Sequence, residues 1–179
     1  MKDSVKKMIK PVVQLASVAA LIGIDHWLKG VAAEKLADGE VHTLIKGFLG
    51  FCYAENTGAA FSMFASSTGA LSIFTGVLLA AGVVFLLIPK KRAVAYDICV
   101  PLIIAGGAGN LIDRLTRGYV IDYIMTLFVE FPVFNFADCL ITCGCFALVI
   151  YLIYSIAADA KKPKAVPTKA FGENGETDD

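Results

Sequence analysis

The chain has 179 residues, of which 57% are hydrophobic, and its 16 basic and 16 acidic residues give a net charge of zero. Its mean hydropathy of +0.69 is well above that of a soluble domain of this size, so the composition predicts a membrane protein with one domain. The sequence contains no basic stripe interleaved with aromatic residues, and nucleic acid is therefore not an expected partner.

Cysteine and histidine offer little material for metal chemistry. The five cysteines are Cys52, Cys99, Cys139, Cys143 and Cys145. Cys139 and Cys143 are four residues apart and would share a helix face, yet no further Cys or His completes a zinc ligand set. With His26 and His42 as the two histidines, the sequence predicts ordinary packing for the cysteines and no metal site.

Four apolar segments are each long enough to cross a bilayer, which takes about 20 helical residues. They comprise residues 11–33, 68–88, 93–112 and 135–158. The first follows a basic start but is too long for a cleavable signal peptide, so we expect a retained helix. The third contains the stretch Gly106–Gly109, a weak helix former whose small residues nevertheless permit close helix packing in a membrane.

The basic residues are distributed unevenly along the chain. Eleven of the sixteen lie before the first segment, between the second and third, or after the fourth. By the positive-inside rule these regions are cytoplasmic, which places both termini in the cytoplasm.

The connections differ in character from the segments. Residues 34–67 form the first outer connection, in which aromatic and β-branched residues predict short strands near 41–45 and 48–53. The second outer connection is residues 115–134. Residues 161–179 mix Pro, Gly and charge without apolar periodicity, which predicts a disordered cytoplasmic tail after a single domain over 1–160.

Carboxylates, amides and one arginine collect at the outer ends of these segments. They are Asp25, Asn110, Asp113, Arg114, Asp122, Asn135 and Asp138. The pairs in segments three and four are each spaced three residues apart, so each pair lies on one helix face. Because carboxylates at the edge of lipid are costly and usually mark a functional site, we expect these stretches to converge on one shallow pocket.

Asp122 and Asp138 are the candidates for catalysis. Two close carboxylates cannot both ionise cheaply, so one holds a proton while the other acts as a base. Such a pair suits peptide hydrolysis, because the base deprotonates water and the acid supports the developing oxyanion. Asp113 is a weaker candidate, since it can form an ion pair with Arg114 or Arg117.

Structural roles and other activities stay open from the residues alone. Asp25 and Lys29 are spaced for an i, i+4 ion pair, and Asn135 can cap the fourth segment. A small transporter or proton-conducting protein using Asp25, Asp113 and Asp138 is about as well supported as a peptidase, although the second segment is uncharged and the inner halves look dry.

A serine–lysine peptidase is the third alternative. It would use Ser62 or Ser66 with Lys46, but no spacing in the sequence argues for a base held within reach of either hydroxyl.

Five blocks, in this order, resemble the lipoprotein signal peptidase (signal peptidase II) family of bacterial membrane aspartyl peptidases. They occupy residues 25–29, 56–62, 106–114, 118–123 and 134–138. Each block alone is weak, whereas five in order with matching topology are highly specific. The departures are His26, Tyr123 and Cys139, where Gln, Phe and Ser are usual, and none of them removes a carboxylate.

The resemblance implies a fold and an activity. The fold would be an all-α membrane protein, a four-helix bundle with a small extracytoplasmic β-sheet cradle and a periplasmic helix. It would lie in the bacterial cytoplasmic (inner) membrane with its active site near the outer face. The activity would be removal of signal peptides from diacylglyceryl-modified prolipoproteins, before the lipidated cysteine. The partners would be these substrates and membrane lipids, a monomer is expected, and no metal or organic cofactor is required.

The resemblance also implies roles for individual residues. Asp122 and Asp138 match the catalytic dyad. Positions lining the substrate pocket are matched by Asn56, Asn110, Arg114 and Asn135, and supporting polar positions are matched by Asp25, Lys29 and Asp113.

Overall fold

The computed structural model describes residues 2–58, 68–88 and 90–160. The elements in these ranges are α1 (Lys2–Lys35), β1 (His42–Ile45), β2 (Leu49–Asn56), α2 (Thr68–Leu87), α3 (Val94–Arg117), β3 (Val120–Thr126) and α4 (Phe136–Ala160). All four of these helices are long and apolar enough to cross a membrane, with the apolar part of α1 beginning at Ile9. The predicted four-segment membrane protein is confirmed.

The main boundary errors concern α1 and α3. The basic start of the chain is part of α1, which begins at Lys2 rather than at residue 11. The third segment was predicted to end at 112, whereas α3 continues to Arg117 because the charged side chains of its last turns find partners in the fold. Gly118 caps its C-terminus, with a left-handed φ of 84° and an N–H that donates to the Arg114 carbonyl oxygen, as is typical after a helix.

The three strands form an antiparallel sheet in the order β1-β2-β3. The two strands predicted in the first connection are confirmed, but β3 lies in the second connection and was not predicted. Its pairing joins Ala54 to Asp122 and Asn56 to Val120, and its inner face buries Ile121 against Ala32 of α1. The sheet is therefore fixed to the end of the bundle where α1 and α3 end and α4 begins.

Several predictions concern regions outside the described residues. The periplasmic helix implied by the resemblance does not occur in residues 36–58 of the first connection. The rest of that connection, residues 59–67 with Ser62 and Ser66, is outside the described part. The predicted tail at 161–179 is outside it as well.

The glycine-rich stretch of α3 is a tightly packed part of the bundle. A side chain at Gly106 would collide with the carbonyl oxygen of Ala137 in α4, and one at Gly109 would collide with the carboxylate of Asp25 in α1. Only residues without a side chain allow this approach. The stretch that weakens the helix prediction thus brings the ends of α1, α3 and α4 together.

Candidate active site

Asp122 lies on β3 with 2% of its surface exposed. Asn135 Nδ2 donates to its Oδ1 at 2.6 Å, and Asn56 Nδ2 donates to its Oδ2 at 2.9 Å. Burial raises the pKa of Asp122 to about 6, and the nearby charge of Asp138 adds to this rise, while the two amide hydrogen bonds oppose it. This carboxyl group can therefore gain or lose a proton near neutral pH.

Asp138 lies in the first turn of α4. Its Oδ1 accepts a hydrogen bond from Asn110 Nδ2 at 2.8 Å, and its Oδ2 accepts one from the backbone N–H of Asn135 at 3.1 Å. In return, Asn135 Oδ1 accepts from the backbone N–H of Asp138 at 3.0 Å. This reciprocal pair is a capping box, so the predicted cap role of Asn135 is confirmed. Its amide nitrogen also donates to Asp122, a contact that was not predicted.

The three asparagines around the carboxylates are held in defined orientations. The amide oxygens of Asn56, Asn110 and Asn135 accept, respectively, from Gly58 N–H, Lys29 Nζ and Asp138 N–H. Backbone N–H groups and ammonium groups can only donate, so each asparagine presents its NH₂ group to a carboxylate. Together with the backbone N–H of Asn135, which donates to Asp138 Oδ2, these NH₂ groups give all four oxygens of Asp122 and Asp138 a hydrogen bond.

A fully buried ion cluster, formed by Asp25, Lys29 and Asp113, lies behind these groups. Lys29 Nζ is 2.8 Å from Asp25 Oδ2 and 3.0 Å from Asp113 Oδ2, and all three side chains have 0% exposure. The predicted Asp25–Lys29 pair is confirmed, and so is the contact of Asp113 with Arg117, at 3.5 Å. The alternative prediction paired Asp113 with Arg114. Arg114 instead donates to the backbone carbonyl oxygens of Gly58 and Asn110.

A cavity of about 490 Å³ adjoins the two carboxylates. Its polar wall comprises Asn56, Arg114, Asp122 and Asp138. Asn110 and Asn135 lie behind this wall with 6% and 0% exposure, so the two predicted pocket residues contact the carboxylates rather than the cavity. Among the described residues, no group of three or more His, Cys, Asp or Glu side chains is arranged to hold a metal ion.

The rest of the cavity lining was missed by sequence reasoning. It comprises residues 131–134 together with Cys139, Thr142 and Cys143 of α4. The sequence predicts ordinary packing for Cys139 and Cys143, whereas both line the cavity. Their spacing from Asp138, one and five residues along the same helix, was the signal that could have found them.

Polar groups also occur at the other end of the bundle, where the sequence suggested dry helix halves. Gln14 of α1 is 7% exposed and donates to the backbone carbonyl of Asp97 in α3 at 3.1 Å. The side chains of Lys10 and Asp97 form an ion pair of 2.5 Å. Lys46, proposed above for a serine–lysine pair, is exposed in the turn between β1 and β2.

Comparison with known proteins agrees with this geometry. Residues 17–154 match a family model described as Signal peptidase (SPase) II. A lipoprotein signal peptidase from Enterococcus faecalis is 36% identical over 136 residues, covering 75% of this chain and 84% of that protein. Another, from Lactobacillus gasseri, is 35% identical over 153 residues, covering 86% and 99%.

Two solved structures, both described as bacterial membrane enzymes, share the fold. Their TM-scores are 0.76 and 0.71, each at 28% identity, and they cover 86% and 79% of this chain and 94% and 92% of their own chains. The matched family spans all four helices and the three strands between them. The chain therefore belongs to the signal peptidase II family of membrane peptidases.

Proposed function

We propose that this protein removes the signal peptide from diacylglyceryl-modified prolipoproteins, with Asp122 and Asp138 activating the attacking water. The observation that carries the proposal is that two carboxylates from different elements, β3 and α4, face one cavity with all four oxygens held by hydrogen bonds. No other pair of carboxylates among the described residues lines that cavity.

The dyad works with one shared proton. The ionised carboxylate takes a proton from water as the water oxygen attacks the scissile carbonyl carbon, and the protonated carboxyl donates to the carbonyl oxygen. The carboxyl that took the water proton then passes it to the amide nitrogen and the C–N bond breaks to release the amine. The proton on the former carbonyl oxygen returns to the other carboxylate, which restores the resting dyad. Asp122 can hold the resting proton, because burial raises its pKa to about 6.

The asparagines preorganise this chemistry. Because their NH₂ groups already point at the carboxylates, the dyad needs little reorganisation when the substrate arrives. Asn56 and Arg114 line the cavity beside the dyad and supply donors for the substrate backbone.

The apolar wall fits a lipidated substrate. Cys139, Thr142 and Cys143 are followed on the same face of α4 by Phe146 and Val149, both more than half exposed. A membrane-spanning helix face of this kind gives an acyl chain or a signal helix a continuous apolar path from the bilayer to the dyad. Membrane lipids are accordingly expected neighbours, and a monomer suffices for the site.

The distribution of basic residues supports an orientation for this site. Eleven of the sixteen Lys and Arg residues flank the helix ends remote from the dyad, which favours cytoplasmic termini and an active site near the outer face of a bacterial inner membrane.

The test is cleavage of a diacylglyceryl-modified prolipoprotein by the purified protein in lipid. Asp122→Asn and Asp138→Asn are each expected to lower kcat by at least about 100-fold, since each removes an acid–base group. Asp97→Asn, at the other end of the bundle, serves as the matched control and should cleave normally. Retained cleavage by either dyad variant would refute the mechanism, and equal cleavage of the unlipidated precursor would refute the substrate class.

A further inference from the structure

The two buried carboxylates behind the site make parallel contacts. Asp25 Oδ1 accepts from the backbone N–H of Ala137 at 3.0 Å, and Asp113 Oδ2 lies 3.5 Å from the backbone nitrogen of Ile121, which donates to it. Ala137 immediately precedes Asp138, and Ile121 immediately precedes Asp122. Each buried carboxylate thus holds the backbone one residue before a member of the dyad.

Lys29 connects these two contacts to a third. Its Nζ lies 2.8 Å from Asp25, 3.0 Å from Asp113 and 2.9 Å from Asn110 Oδ1. Asn110 in turn donates to Asp138. The contact with Asn110 is a hydrogen bond and the two carboxylate contacts are ion pairs, so a single ammonium group is shared by all three side chains.

We propose that Lys29 is a positioning residue for peptide hydrolysis, whose ammonium group sets the relative placement of Asp122 and Asp138 by joining the three side chains that hold them. The inference rests on the proposed function, since it assigns Lys29 a role in the dyad's geometry.

Stability alone does not account for a charged group at this place. Buried ion pairs can often be replaced by well-packed apolar residues without loss of stability, because their desolvation cost is large. An apolar set of the same size would also pack α1 against α3. It would offer no acceptor to the N–H groups of Ala137 and Ile121 and no donor to Asn110. These three contacts are all directed at the dyad.

The test uses a variant that keeps the buried charge balanced. Lys29→Met with Asp25→Asn removes one charge of each sign and leaves Asp113 paired with Arg117. The amide oxygen of the new asparagine can still accept from Ala137 N–H, so the fold has a means to persist. We expect a Tm close to that of the wild type, a KM within about 2-fold, and a kcat reduced about 10- to 100-fold, since small misplacements of reacting groups are costly.

The matched control is the Lys–Asp pair that joins α1 to α3 at the other end of the bundle. Lys10→Met with Asp97→Asn removes the ion pair at the far end of α1 and α3 and should leave kcat and KM unchanged. A second variant, Lys29→Arg, keeps the charge, but its larger planar guanidinium cannot put one nitrogen within reach of the same three side chains. It should also fold and lose kcat at constant KM.

The outcomes separate this inference from the proposed function. Wild-type kcat in a folded Lys29→Met/Asp25→Asn protein would overturn the positioning role, even where the Asp122 and Asp138 variants are inactive. Failure of both Lys29 variants to fold would assign Lys29 to stability alone and would likewise overturn the positioning role. Cleavage by the dyad variants would instead refute the proposed function.

Discussion

Two polar clusters join α1 to α3, and they differ in burial rather than in composition. At the site end, Lys29 contacts Asp25 and Asp113, and all three side chains are fully buried. At the far end, Lys10 pairs with Asp97, with side-chain exposures of 42% and 18%. The Lys–Asp pair is therefore partly solvated at one end and enclosed by protein beside Asp122 and Asp138 at the other, so the two clusters differ in burial rather than in pairing.

The strongest test of this comparison is to remove each lysine by itself. Lys29→Met leaves buried Asp113 with Arg117 and removes the ion-pair partner of buried Asp25. A charge left without its partner in the interior costs about 3–5 kcal/mol of unfolding free energy. Lys10→Met should cost about 0–1 kcal/mol, because water screens its pair. Denaturation of both proteins in the same detergent measures the difference, and equal losses would contradict the contrast.

The next largest effect concerns the close approach at the site end. Gly109→Ala places a methyl group against the Asp25 carboxylate, which cannot move because Lys29 and Ala137 hold it. Overpacking of this kind costs about 1–3 kcal/mol. Gly30→Ala is the control, since nothing lies within 4 Å of a side chain there. A Gly109→Ala protein as stable as the control variant would show that the cluster is not rigid.

The smallest effect is on the pH dependence of stability. The pKa of Asp122 is about 6 in the folded protein and near 3.8 when unfolded, so the folded state binds more protons between these values and its stability falls as pH rises through that window. Asp122→Asn has no such proton. The Tm of Asp122→Asn minus that of the wild type should therefore increase from about pH 4 to about pH 7.

Three other charged groups face Asp122, and the difference in Tm reports the Asp122 carboxyl together with its coupling to them. Asp138 of α4, Lys29 of α1 and Arg114 of α3 are present in both proteins. Parallel curves of Tm against pH would show that the Asp122 carboxyl is not enclosed as the structure indicates.

Local spacing was enough to predict part of this arrangement. The Asp25–Lys29 pair is one helical turn apart, and the Asn135 cap acts within three residues, so both contacts follow from helix geometry. The four spans were equally predictable, because a bilayer requires long apolar segments wherever they pack. The dyad candidates came from the resemblance and from the cost of carboxylates at the edge of lipid.

The remaining contacts depended on the tertiary structure. Lys29 contacts Asn110, 81 residues away in sequence, and Asn56 contacts Asp122, 66 residues away. Helix or strand periodicity predicts only contacts between residues that are close in sequence. The third strand exists because β2 is available as a partner, and the cavity wall exists because the β3–α4 connection lies beside α4. Sequence alone determined which segments enter the membrane and which side chains are costly there, since both depend on local transfer energies. Only the fold decided how those side chains share donors and acceptors, because that requires helices and strands from distant parts of the chain to meet.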